Sequence, residues 1–578
     1  MAFSIMAART PIKLKIPRQD LQVFRLFELK PDPARAWAQA LPVTDIRTVV
    51  EELDRCLHDL NRVRLSPEAR YPILEAIRPT LDITISNLSR RFLNQPLVLP
   101  QEASQLAQTG TDLLNMAATS YTITALEAIQ HRDDLYQINP AQLACEAIQR
   151  AMMYASRKLL QTLQLYRPLE LHGWNTLHQL FELAERQQLT DLPVTEPLAA
   201  APTIRRAYLQ GVLLGCCKPN QLRQTELAAF YLALCDWSEF IELNPASTEV
   251  GLFAVDLHGD QPPVYRSQID ALGDSHRVVD TSKLLDQLQS LRSHEEDGLQ
   301  LDDDTSLPAS TLDHLARSLG EVSVRHFTRA RSSGKLLVCL GISNTHYHVA
   351  GNRLFEDVLY DKADVTHGEP AAATNPFLSN EPDGQLPTSE TVYVAPVSTN
   401  ERYPIYLADL CDASPAGYCL EWSETLPGDI RVGDILGLRE SQASQWAVAV
   451  IRWFNQTDIH RSLIGVELLS PKAIPLGARI HLSNGDKAPP MRVLLLPELK
   501  VVGQSHSLIT PRASFRESQK VTLFDSQRKH TVQLGRQRAA TGSFIQFEFS
   551  FIEELGDVLA KQRPELVGDA YDSLWSDI

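Results

Sequence analysis

Residues 412–422 read DASPAGYCLEW, and outward from them the chain is a succession of short apolar runs broken by turn residues. Asp412, Ser414, Pro415 and Gly417 all suit a tight polar turn, and the YCLEW that follows has the aromatic and apolar content of a strand. Downstream come the spaced glycines of LPGDIRVGDILGL (426–438), then AVAVIRWF (447–454) and LIGVELL (463–469). Seven strands are predicted in this region: Lys335–Leu340, Thr345–Val349, Pro404–Leu410, Gly417–Trp422, Ile435–Leu438, Ala447–Phe454 and Ser462–Leu468. Gly, Pro and Asp punctuate them, as antiparallel hairpins require. Residues 361–389 interrupt the rhythm with Pro370, Pro376, Pro382 and Pro387 and few apolar residues other than alanine. Such a stretch cannot offset its ordering entropy and is expected to be a flexible insertion. A further β-rich block spans 479–555.

Upstream the texture is helical. Behind Thr44 and Asp45, either a good cap, apolar residues recur at Ile46, Val49, Val50, Leu53, Leu57 and Leu60, the stripe of a one-faced helix. The pattern returns in 71–92, 104–130, 140–165, 169–186, 203–214 and 222–240 without a fixed repeat period, so a helical domain is expected over 30–240 and a TPR-type array is not. After Glu249 two strands, VGLFAVDLH and PVYRS, and a helix at 281–291 predict a small α/β segment over 248–294. Glu295, Glu296, Asp297, Asp302, Asp303 and Asp304 then predict an open acidic linker at 295–310. The β-rich region 321–475 follows. At 578 residues the chain exceeds what one core sustains, and about 150 residues per domain gives three or four. The expected class is multidomain α+β.

Charge excludes some functions. Fifty-five Lys and Arg against 71 Asp and Glu leave a net −16, unsuited to general nucleic-acid or anionic-membrane binding, so an anionic ligand would need a local basic patch. No apolar run reaches the length of a membrane span, and no sustained apolar core precedes Pro11. Eight cysteines lie in apolar contexts without a C-x-x-C pair, which fits reduced thiols and a cytoplasmic location. His346 and His348, two apart on an expected strand, share one face but lack a third ligand, so no metal site is assigned. Glu51, Glu52, Asp54 and Asp59 read as a solvated helix face. Trp422, Trp446 and Trp453 read as core. No G-x-S-x-G, P-loop, G-x-G-x-x-G or H-E-x-x-H signature occurs, and no catalytic residue is assigned.

The local basic patch is RHFTRARSSGK at 325–335, with Arg325, Arg329, Arg331 and Lys335; residues 321–335 carry a net +3. An arginine pair at this spacing also suits a solvated face, and Asp412-x-Ser414-x-x-Gly417 also suits a plain hairpin turn. Their order is more specific than either alone. R-x-x-x-R, strand, D-x-S-x-x-G, strand, R-W strand and G-V-E-L strand resemble the PilZ domain from Arg325 to about residue 471. That resemblance implies an antiparallel β-barrel and a bacterial receptor for cyclic di-GMP. Carried over by position, it gives Arg325 and Arg329 from the first motif and Asp412, Ser414 and Gly417 from the second.

The residue chemistry is compatible with such a ligand. An arginine fork clamps a phosphate bidentately, reads the O6/N7 edge of guanine and stacks on a base. A carboxylate at Asp412 accepts from guanine N–H groups, Ser414 bonds a polar edge, and Gly417 permits close backbone approach. The expectation is a non-enzymatic second-messenger receptor whose helical half meets a protein partner, with no cofactor besides the ligand cyclic di-GMP. The alternative is a scaffold or adaptor whose PilZ-like barrel no longer binds ligand.

Overall fold

The computed structural model describes residues 12–42, 44–93, 95, 97–195, 201–294, 298–322, 330–360, 402–422, 426–427, 430–440, 445–458, 461–481, 488–498, 505–512 and 514–552. These divide into two compact units. The first takes the described residues of Met1–His326, Ser423–Val432 and Trp453–Leu463; the second takes the remainder.

The first unit opens with eight helices: α1 (Pro31–Ala40), α2 (Ile46–Leu60), α3 (Pro67–Phe92), α4 (Gln101–Gln130), α5 (Pro140–Gln164), α6 (Gly173–Arg186), α7 (Ile204–Cys216) and α8 (Gln224–Trp237). Side-chain caps set several starts. Asp45 accepts from the Thr48 amide ahead of α2, Asn139 from Ala141 and Gln142 ahead of α5, and Thr203 from Arg206 ahead of α7. Of the two expected caps for α2, Asp45 is the one used. Its carboxyl is held below the usual range, first by the Thr48 hydroxyl and then by the Thr48 amide. The predicted stripe is the buried face, with Val49, Leu53, Leu57 and Leu60 all inside and Ile46 and Val50 half-buried.

The α/β segment is larger than the sequence suggests and shares the helical core. Strands β1 (Glu242–Pro245), β2 (Phe253–Asp256), β3 (Val264–Tyr265) and β4 (His276–Asp280) form an antiparallel sheet in the order β1-β4-β2-β3, followed by α9 (Ser282–His294). Leu243, Phe253, Val255 and Val279 join one cluster with Leu209, Phe230 and Trp237. The Asp260 carboxylate accepts from the amides of His172, Trp174 and Asn175 at the start of α6, which ties the sheet's loop to the helices.

The described part of the acidic stretch departs from the open linker expected there. Strands β5 (Gly298–Gln300) and β6 (Ser306–Pro308) pair as a hairpin, and α10 (Ala309–Gly320) follows. Leu307 is fully buried opposite Leu299, and the charges sit in the turn, where the Asp302 carboxylate accepts from the Asp304 amide. A short apolar cross-strand pair outweighs repulsion among side chains that all face water.

The second unit holds most of two six-stranded barrels. The first uses β7 (Ala330–Arg331), β8 (Lys335–Leu340), β9 (Tyr406–Ser414), β10 (Gly417–Trp422), β11 (Ile435–Glu440), β12 (Ala447–Asp458) and β13 (Arg461–Ser470). Their order is β10-β13-β12-β11-β8-β9-β7, and an additional β9–β10 pairing closes the ring, with β7 appended beside β9. Between β8 and β9 come α11 (Gly341–Val349) and α12 (Phe355–Leu359).

Helix α11 occupies the place where the sequence predicts a strand over Thr345–Val349. Gly341 at φ +79° turns the chain out of β8, and the Thr345 hydroxyl donates back to the Gly341 carbonyl at 2.8 Å. The second barrel closes as β14 (Ile474–Ile480), β15 (Met491–Leu496), β16 (Ser507–Pro511), β19 (Phe544–Phe551), β18 (Lys529–Ala540) and β17 (Lys520–Phe524), in that spatial order. Ile435, Val448 and Val450 of the first barrel share a buried cluster with Leu494, Ile509 and Phe544 of the second.

Candidate functional site

The DASPAG stretch is the β9–β10 turn. Ser414 is registered with Gly417, so Pro415 and Ala416 form a two-residue loop, and the Ser414 hydroxyl donates to the Gly417 carbonyl at 3.1 Å. The third strand, β13, crosses close behind: the Leu468 amide donates to the Ala416 carbonyl at 2.9 Å. A Cβ built on Gly417 would lie 2.0 Å from the Val466 carbonyl oxygen and 3.0 Å from the Glu467 Cα. The glycine is therefore required by the neighbouring strand, whatever else approaches it.

Asp412 stands three residues before the loop, paired with Cys419 on β10 and with Arg331 on β7. Cys411 is left over in the β9–β10 register, which steps from Cys419–Asp412 to Leu420–Leu410, a bulge that turns the rim of the barrel. The other edge of β9 is doubly occupied. Its upper end pairs with β7 through Ala330–Ala413 and Arg331–Asp412, and its lower end pairs with β8 from Lys335–Asp409 to Val338–Tyr406. Between them Ser332 donates to the Cys411 carbonyl and Leu410 to the Gly334 carbonyl. The basic segment thus ends as a strand laid along the same hairpin that carries Asp412, Ser414 and Gly417.

Arg325 and Arg329 lie outside the described residues, as does the 361–389 stretch. Of the three arginines in that patch, Arg331 is the one among the described residues, beside the hairpin. In the sequence it is one of four basic residues in the 325–335 patch, and what marks it is its place immediately before the turn residues Ser332–Gly334. On the neighbouring strands Arg452 and Glu467 form an ion pair at 2.6 Å.

His346 and His348 do not share a strand face. Both are buried on α11, where the His346 Nε2 lies 3.2 Å from the Leu476 carbonyl. The two ring nitrogens of His348 meet Asn352 and the Tyr403 carbonyl at 2.9 and 3.2 Å, and its ring stacks on Trp446. Burial pushes the His346 pKa down to about 4, against the pull of the Leu476 carbonyl. Cys339 is likewise buried, its thiol pushed up to about 12 by desolvation, unlike a reactive thiolate. Trp422 and Trp446 are core, whereas Trp453 is half-exposed. Among the described residues no three His, Cys, Asp or Glu side chains are grouped to hold a metal, and no helix is long and apolar enough to cross a membrane.

A barrel rim built in this way, with the motif hairpin on it, is matched over residues 252–392 and 380–475 by the family model described as the middle PilZ domain of the cyclic-di-GMP receptor FimW. That match makes the middle region of the chain a PilZ domain. Residues 32–247 match the N-terminal domain of the same receptor and 476–552 its C-terminal beta-barrel domain. Across its length the chain is similar to the cyclic-di-GMP receptor FimW of Pseudomonas aeruginosa, with 29% identity over 619 aligned positions covering 98% of this chain and 99% of that relative. No solved structure matches it.

Proposed function

We propose that the chain is a non-enzymatic cytoplasmic receptor for cyclic di-GMP, binding it through Arg325, Arg329, Asp412, Ser414 and Gly417 and signalling to a protein partner through its helical region. The observation that carries this reading is the register of β7 on β9. Ala330 and Arg331, the two residues that follow Arg329 in the sequence, pair with Ala413 and Asp412 of the D-x-S-x-x-G hairpin, which supports a shared role for the two motifs. Full-length similarity to a protein named as a receptor for this dinucleotide adds support.

In this reading the arginines supply charge and planar forks for the phosphates and guanines, and Asp412 and Ser414 supply the polar edge. Gly417 acts by letting β13 close against the turn. Calorimetric titration of the full chain with cyclic di-GMP tests it. Arg325→Ala and Arg329→Ala are each expected to weaken binding by about 2 kcal/mol, on the order of thirtyfold, with lysine recovering only part. Unchanged affinity in both alanine variants would overturn the assignment.

A further inference from the structure

The second barrel carries the opposite charge from the rest of the molecule. Residues 476–552 hold eleven Lys and Arg against five Asp and Glu, a net +6, in a chain whose total is −16. Four of the described cations, Arg516, Lys520, Arg536 and Arg538, lie along β18 and the segment beside it. Ser518 donates to the Leu534 carbonyl and Leu534 to the Gln519 carbonyl, both at 2.9 Å, and Lys520 is registered with Gln533. The 516–520 segment therefore runs alongside 533–537 and brings exposed Arg516 and Lys520 to the same face as exposed Arg536 and Arg538.

Strand β18 is irregular there, its register against β19 shifting between Leu534 and Gln537 and again between Gln537 and Ala539. A cleft of about 280 Å³ is lined here by Arg536, Gln537, Arg538 and Glu548. The acids on this face are already engaged: Glu517 accepts from the Gln537 amide at 2.6 Å and Glu548 from Arg538 at 2.9 Å. Among the described residues no ion pair holds Arg516, Lys520 or Arg536.

We propose that this face of the second barrel, centred on Arg516, Lys520 and Arg536, is a docking surface for an acidic polypeptide segment of a partner protein. Charge complementarity supplies the attraction, which salt screens progressively. Two other polyanions fit less well. Among the described residues of this barrel no large apolar side chain is exposed, so it offers neither a stacking platform for single-stranded bases nor an anchor for a bilayer. Glu517 and Glu548 also interrupt the track that a continuous phosphate backbone would follow. The proposal is independent of cyclic di-GMP binding at the first barrel.

The test is fluorescence anisotropy on the full chain with a labelled octaglutamate peptide at low salt, beside oligodeoxythymidine and vesicles of phosphatidylglycerol and phosphatidylcholine. The peptide is expected to bind most tightly and to weaken as salt rises. The triple variant R516E/K520E/R536E is expected to lose about tenfold or more in peptide affinity while its cyclic di-GMP titration matches the parent. Should the triple variant unfold by circular dichroism, the single changes Lys520→Gln and Arg536→Gln should each give a smaller loss. Failure of the parent to bind the peptide, equal binding by the folded variants, or tighter binding of the oligonucleotide or vesicles would each overturn the proposal.

Discussion

The two barrels close with the same number of strands but place their irregularities differently. In the first, the break at 332–334, the bulge at Cys411 and the glycine turn at 417 all fall around β9, where two chain segments converge on one rim. In the second, the register shifts fall within β18, one of its longest strands, and display its side chains outward. A barrel rim gathered from separate segments can form a pocket for a compact ligand. A bulge within one strand makes a face, which suits an extended partner. The same backbone device thus serves two kinds of surface, and the contrast can be broken or sharpened by substitution.

The largest effect is expected at the glycines. Gly417→Ala sets a Cβ 2.0 Å from the Val466 carbonyl oxygen, so β10 or β13 must move; Gly535→Ala in β18 meets nothing closer than the Glu548 carbonyl oxygen at 3.3 Å. The first change should cost about 3 kcal/mol or more and the second about 1 kcal/mol or less. Hydrogen exchange resolves the two sites: faster exchange is expected across 417–422 and 464–470 for the first, and little change across 529–551 for the second. Comparable losses at the two glycines would mean that the motif hairpin is no more tightly pinned than the outer face of β18.

A smaller effect follows from His346, on the helix between β8 and β9 and in contact with β14. Its folded pKa, about 4, lies below the ordinary value of 6.5, because burial disfavours the imidazolium. The unfolded chain therefore takes up the proton first. The contribution is complete above about pH 6.5 and is lost as pH falls towards 4, amounting to about 3 kcal/mol. His530 in the second barrel is also shifted down by burial but is half-exposed, so its share is smaller. His346→Gln keeps a donor for the Leu476 carbonyl and removes the titration. Denaturant melts between pH 4 and 6.5 should lose much of their pH slope in that variant; an unchanged slope would assign the acid sensitivity elsewhere, for instance to buried His178, also shifted down.

These contrasts bear on what the sequence could and could not convey. The helical stripe was legible because each turn repeats it, and the D-x-S-x-x-G spacing was legible because a two-residue loop needs those residue types at those places. Thr345–Val349 is too short for periodicity to separate a strand from a helix. In GISNTHYHV the alternation of β-branched and aromatic residues imitates a strand over half its span, and only Gly341 at positive φ and the Thr345 back-bond tip it to a helix. The hairpin at 298–308 is hidden in the acidic stretch because charge count says nothing of which side chains face water. Nothing in the sequence sets Arg331 apart from its basic neighbours, because its place opposite Asp412 is one of register, and register appears only when β7 is laid on β9.

The smallest predicted effect concerns that residue. Arg331 is exposed and lies across from Asp412, so its guanidinium stands at the motif hairpin without being enclosed by it. An exposed cation contributes through a screened field rather than a desolvated contact. Arg331→Ala should therefore weaken cyclic di-GMP binding by about 1 kcal/mol or less, clearly below the Arg325 and Arg329 variants, with no change in thermal unfolding. Lysine should restore nearly all of it, because charge matters more than fork geometry at such a distance. The deficit should also shrink as ionic strength rises and the Debye length shortens, which calorimetry at low and high salt would follow. A loss as large as that of Arg325→Ala, unresponsive to salt, would put Arg331 in direct contact with the ligand and make β7 part of the clamp. No loss at low salt would leave β7 as the spacer that sets where the arginine segment ends.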